Sequence, residues 1–116
     1  MRRDPEPLLW DAIHAIDDVL RFAAGRTLDE VLDDEIVRLA IERQLITVGE
    51  ALSQLDRLFP DTAAAIPDLR AVVAFRNILV HGYAGIKWED IWQVIQTDLP
   101  ALRDTMQTLL DGLGQF

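Results

Sequence analysis

The stretch IERQLITVGEALSQLDRLF, Ile41 to Phe59, places apolar side chains at Ile41, Leu45, Val48, Leu52, Leu55 and Phe59. Steps of three and four residues gather all six on one side of an α-helix, whereas a half-buried strand would alternate at every second position. The stripe stops at Pro60, which lacks the N–H a continuing helix needs. On an adjacent face Gly49 and Ser53 leave a shallow notch where another helix can approach closely.

The same period extends in both directions. Leu9, Ile13, Ile16, Leu20 and Ala23 form a stripe that ends at Gly25, a natural helix stop. Thr27 to Glu30 matches a capping box, and Asp33 or Asp34 can cap the long central helix. Beyond it, a linker containing Pro60 and Pro67 leads to Asp68, a cap for a helix running toward His81, with Gly82 and Gly85 as breakers. The last stripe, Trp88, Trp92, Ile95, Leu99, Leu102, Met106, Leu109 and Leu113, keeps its phase through Pro100. That predicts one long helix kinked near Pro100, or two nearly coaxial helices with Thr97 or Asp98 as the second cap. Trp10, Trp88 and Trp92 are expected in the core. With no strand-like alternation and no repeat, the expected fold is all-α, an antiparallel up-and-down bundle of four or five helices.

Composition narrows the function. The chain of 116 residues is 50% hydrophobic and 27% charged, and is expected to be one folded domain over residues 1–116, burying roughly two-thirds of its unfolded surface. No apolar run approaches the ~20 residues that span a bilayer, and MRRDPEPLLW contains no signal-peptide core, so a cytoplasmic location is expected. Zero cysteines remove thiolate nucleophiles and Cys-based zinc sites, and the two histidines, His14 and His81, are far apart. No metal and no cofactor is expected, with an all-carboxylate site as the open alternative. The net charge of −9 argues against a general nucleic-acid binder. Yet from Leu69 through Trp88 there is no Asp or Glu, while Arg70, Arg76 and Lys87 are present. A basic window on an acidic chain fits a confined phosphate site, and chance clustering explains it equally well.

Within that window stands FRNILVHGY, Phe75 to Tyr83. At ~100° per residue, Arg70, Ala74, Asn77 and His81 share one face, while Arg76 and Tyr83 point elsewhere, in line with Leu69, Val73 and Val80. A guanidinium in an apolar stripe is costly unless paired. Two readings stand: Arg76 awaits a ligand, or it pairs with a carboxylate on a neighbouring helix such as Glu50 or Asp56. His81 likewise is either functional or a helix-terminal cation. Together, Arg and His are the minimal equipment for cleaving RNA without metal: Arg stabilises the phosphoryl charge and His moves protons to and from the 2′-hydroxyl and the leaving group. Because one straight helix points the two apart, either it ends before His81 or a two-fold partner supplies second copies. The notch at Gly49 and Ser53 points toward such a partner.

Arg76-Asn77-Ile-Leu-Val-His81-Gly-Tyr83 resembles the R-x4-H-x-Y signature of HEPN-domain toxins, in the HepT group of HepT/MntA toxin–antitoxin systems. Val48 to Leu52, VGEAL, is similar to that group's IGEA segment, and Ile91 to Leu102, IWQVIQTDLPAL, to its closing helix. The resemblance implies a homodimeric, metal-independent endoribonuclease toxin of a type VII-like system, with paired motifs lining the dimer cleft. Arg76 and His81 would be the catalytic pair and Asn77 a supporting residue that orients the imidazole. Tyr83 would receive AMP from an MntA-like minimal nucleotidyltransferase, and Arg70 and Lys87 are candidate phosphate contacts. Two other readings remain: a catalytically idle HEPN module that binds a nucleotide or serves as the nucleotidyltransferase's accessory subunit, and a bare helical dimerisation module. The intact Arg–His pair favours the ribonuclease.

Overall fold

A computed structural model of the chain describes residues 4–67, 69–81 and 87–113. Its helices are α1 (Glu6–Ala23), α2 (Leu28–Asp33), α3 (Glu35–Leu58), α4 (Pro60–Ala64), α5 (Leu69–His81), α6 (Trp88–Gln93) and α7 (Leu99–Leu113), with a π-helical turn (Val94–Asp98) joining the last two. The fold is all-α, as the periodicity predicts. Four rods, α1, α3, α5 and the continuous α6–π–α7 run, make the bundle, and α2 and α4 are short connectors.

Local chemistry sets the boundaries. Helix α1 gives way at Gly25, whose φ of 72° lies in the left-handed region that glycine adopts without a Cβ penalty. The Thr27 hydroxyl accepts from the Glu30 N–H at 3.2 Å while the Glu30 carboxylate accepts from the Thr27 N–H at 3.1 Å, a reciprocal cap. Of the two candidate aspartates, Asp34 caps α3, accepting from the Val37 N–H at 3.2 Å.

Helix α3 is the central rod. Its stripe Ile41, Leu45, Val48, Leu52 and Leu55 is buried against Leu9, Ala12, Ile13, Ile16 and Val19 of α1. Ile91, Ile95, Leu99, Leu102 and Met106 close the core from the C-terminal rod. Arg103 of α7 ties that rod to α1, donating from Nε and from its terminal nitrogen to the two carboxylate oxygens of Asp17. Among the described residues no helix is long and apolar enough to cross a membrane.

The structure corrects several expectations. Part of the anticipated linker is helix α4, because Pro60 occupies a first-turn position where its missing N–H has no intrahelical partner to lose. Near Pro100 neither Thr97 nor Asp98 serves as a second cap. Both lie inside the π turn, where the Leu99 N–H reaches back to the Val94 carbonyl, five residues away. The wider turn loosens the chain just ahead of the proline ring, which would otherwise press on the preceding turn. Trp10 is not core: it is 50% exposed and stacks on His14 with ring centroids 3.5 Å apart. Trp88 and Trp92 are half-buried against the core. The cap expected at Asp68 and the breakers Gly82 and Gly85 lie outside the described residues.

Truncating Leu52 to Ala is expected to cost about 2–5 kcal/mol through lost burial and a cavity. Thr27→Ala, which opens only the cap, should cost about 1 kcal/mol. Urea unfolding followed by circular dichroism at 222 nm measures both.

Candidate active site

Helix α5 packs along the central rod α3. Leu69 is its one buried residue, and the helix packs chiefly on α3. Val72, Val73, Phe75 and Leu79 are half-buried on the core side, while Ile78 and Val80 are exposed. Arg76 lies beside Gly49, and Leu69 and Arg70 share a groove with Ser53 and Asp56, so α3 and α5 run antiparallel.

The contact at Gly49 sets how closely the two helices approach. Gly49 is buried, and a Cβ on it would overlap Arg76 Cβ and stand 2.5 Å from Arg76 Cγ. The aliphatic stem of Arg76 therefore lies directly on the α3 backbone. This corrects the use of the notch as a sign of a second chain, since Arg76 of the same chain fills it at Gly49.

From that stem the guanidinium spreads between two acceptors. One terminal nitrogen donates to Asn77 Oδ1 at 2.7 Å and the other to Glu50 Oε1 at 3.3 Å. Nε is buried and has no hydrogen-bond partner among the described residues. The Arg76 side chain is 27% exposed and that of Glu50 47%. Of the two carboxylates proposed as partners, Glu50 makes the pair. Asn77 presents its amide oxygen to Arg76.

His81 is exposed in the last turn of α5. Five residues separate it from Arg76, so the two diverge by about 140° around the helix and sit ~7.5 Å apart along it. Arg70 is exposed and lines the groove of Ser53, Asp56, Leu69, Val73, Ala74 and Asn77. Lys87 is exposed at the N-cap of α6. Tyr83 lies outside the described residues. The acid-free window is acid-free in sequence only, because α3 brings Glu50 and Asp56 alongside α5. Among the described residues no group of three or more His, Asp or Glu side chains is placed to hold a metal ion.

This geometry stands beside a family match. Residues 12–109 fit the model of the family described as "Ribonuclease HepT-like". The chain belongs to that HepT-like family. It is 27% identical to "Probable ribonuclease HepT" of Thermococcus cleftensis over 109 residues, 94% of this chain and 98% of that protein. Against "Putative RNase MJ1380" of Methanocaldococcus jannaschii it is 27% identical over 106 residues, 91% of this chain and 96% of the other. "Putative RNase MJ0127" of the same organism is 29% identical over 99 residues, 85% of this chain and 81% of the relative. No solved structure matches. Family membership supports a ribonuclease activity, and the Arg76 cluster joins two of the segments on which the resemblance rests, VGEAL and RNILVHGY.

Gly49→Ala should push α3 and α5 apart, because the clash is with the root of Arg76 and not with a flexible tip. The expected loss is about 1–3 kcal/mol of stability. The exposed Ser53→Ala control should stay within about 0.5 kcal/mol. Thermal unfolding of the two variants tests the difference.

Proposed function

We propose that the chain, residues 1–116, is a single HEPN-like unit acting as a metal-independent endoribonuclease toxin in the cytoplasm, with Arg76 and His81 as its catalytic pair. The observation that carries the reading is Arg76 itself: a guanidinium held across the α3–α5 contact in a chain of the HepT-like family. In the proposed reaction the RNA 2′-oxygen attacks the adjacent phosphorus as the bond to the 5′-oxygen breaks, leaving a 2′,3′-cyclic phosphate and a 5′-hydroxyl. His81 serves proton transfer, taking the 2′-hydroxyl proton or giving one to the 5′-oxygen, and Arg76 stabilises charge on the non-bridging oxygens. Asn77 supports Arg76, and Arg70 and Lys87 contact flanking phosphates.

The same geometry supports a homodimer. One α5 points Arg76 and His81 apart, so a second α5 related by two-fold symmetry would complete the pair. Exposed Ile78 and Val80 on α5 supply apolar surface for that partner to cover. The partner in control is an MntA-like minimal nucleotidyltransferase antitoxin that places AMP on Tyr83. The added bulk and negative charge would oppose the RNA phosphate at Arg76.

Cleavage of RNA is expected to survive EDTA, and Arg76→Ala or His81→Ala should each abolish it with helical circular dichroism unchanged. A requirement for added divalent metal would sink the mechanism. Mixing the two inactive variants should restore activity only if the site is shared between chains, and light scattering that gives a monomer at micromolar concentration would count against the dimer.

For control, the protein incubated with its nucleotidyltransferase and ATP should gain AMP mass on Tyr83 and lose cleavage. Tyr83→Phe should gain no mass and remain active. If Tyr83→Phe is silenced as fully as the unaltered chain, inhibition runs through binding alone.

A further inference from the structure

Arg76 carries five N–H donors, and their disposition is unequal. One on each terminal nitrogen is committed, to Asn77 Oδ1 and to Glu50 Oε1. The Nε donor is buried. Among the described residues that leaves one N–H on each terminal nitrogen, two donors that can meet the oxygens of a phosphate. Which edge faces outward depends on what holds the terminal nitrogens, since an arginine side chain otherwise samples many rotamers.

Asn77 cannot do this alone. It is the sequence neighbour of Arg76 on the same helix, so their bond leaves the guanidinium free to move with α5. Glu50 lies on α3, next to the glycine whose missing side chain admits the Arg76 stem. Gly49 and Glu50 thus act as a consecutive pair: the first fixes where the stem runs, and the second fixes where the head points. As a stability device the bond would be poor, because a 3.3 Å pair with a half-exposed carboxylate contributes about 0–1 kcal/mol. As an orienting device it is well placed.

We propose that Glu50 is the positioning residue for Arg76, holding the guanidinium across Gly49 so that its two uncommitted donors face the scissile phosphate. The inference rests on the ribonuclease reading above. Glu50 touches neither the phosphate nor the proton in flight. Its negative charge lies close to the phosphate site, so it costs substrate affinity while serving the chemical step. Removing the acceptor therefore separates the two kinetic constants.

The test uses the full chain and a fluorescently labelled mixed-sequence oligoribonucleotide, with three substitutions at the exposed position 50. Glu50→Ala is expected to lower kcat by about tenfold or more, as misplacement of a catalytic group does, with KM equal to or below that of the unaltered chain. Glu50→Gln keeps an acceptor oxygen at the same reach and should retain kcat within about threefold. Glu50→Asp keeps the charge but draws the oxygens back by one methylene, and should fall with Ala. A Glu50→Ala enzyme with unchanged or raised kcat would mean that Glu50 merely competes with phosphate, and overturns the proposal. So does a Gln variant as impaired as Ala.

An independent readout follows the Arg76 Nε–H resonance in ¹⁵N spectra, assigned by its loss in Arg76→Lys. It should be sharp and protected from exchange in the unaltered chain and in Glu50→Gln, and exchange-broadened in Glu50→Ala. An unaltered resonance in Glu50→Ala overturns the proposal whatever the kinetics. If the unaltered chain cleaves no RNA while the resonance responds as expected, the ribonuclease reading fails and the hold of Glu50 on Arg76 stands.

Discussion

The close approach of α3 and α5 at Gly49 is the contact on which the candidate site depends. Helix α5 has one buried residue, Leu69, and α3 as its principal neighbour. Any side chain at position 49 would displace the root of Arg76, and with it the bonds to Asn77 and Glu50. A guanidinium in an otherwise apolar stripe is tolerated because this one contact supplies both room for its stem and an acceptor for its head.

Local chemistry made much of this architecture readable from the amino acids. The stripe from Ile41 to Leu55, the capping box at Thr27 and the stop at Gly25 each depend on residues within one or two turns, so their outcomes follow from spacing and side-chain type. What resisted reading depends on register between distant segments. The sequence could offer Glu50 and Asp56 as partners for Arg76, but the choice is made by the antiparallel offset of two helices, 26 residues apart at the point of contact. The notch at Gly49 announced close packing without saying which helix would enter it. Trp10 escapes the core because it lies one position after Leu9, which is fully buried, and a one-residue step turns a helix by ~100°. The π turn was hidden because Trp92, Ile95 and Leu99 keep an acceptable stripe whether the bonds span four residues or five.

Electrostatics reads differently in one dimension and in three. The interval from Leu69 to Trp88 contains no carboxylate, which suggests a basic surface. In space the neighbouring rod returns two acids to its flank, one of them bonded to the arginine. The result is a compensated cation with few donors left among the described residues. Such a group favours a ligand of definite shape over any polyanion, which fits a chain whose net charge of −9 discourages indiscriminate contact with nucleic acid.

The shallow seating of α5 also has an energetic consequence. Segments of a folded chain open independently, with free energies that scale with the apolar contact each surrenders. Helices α1 and α3 bury whole stripes and are bound to global unfolding, whereas α5 gives up one buried leucine and a set of half-covered side chains when it lifts. Arg76 and His81 therefore ride on a rod whose hold on the core is shallower than that of α1 or α3.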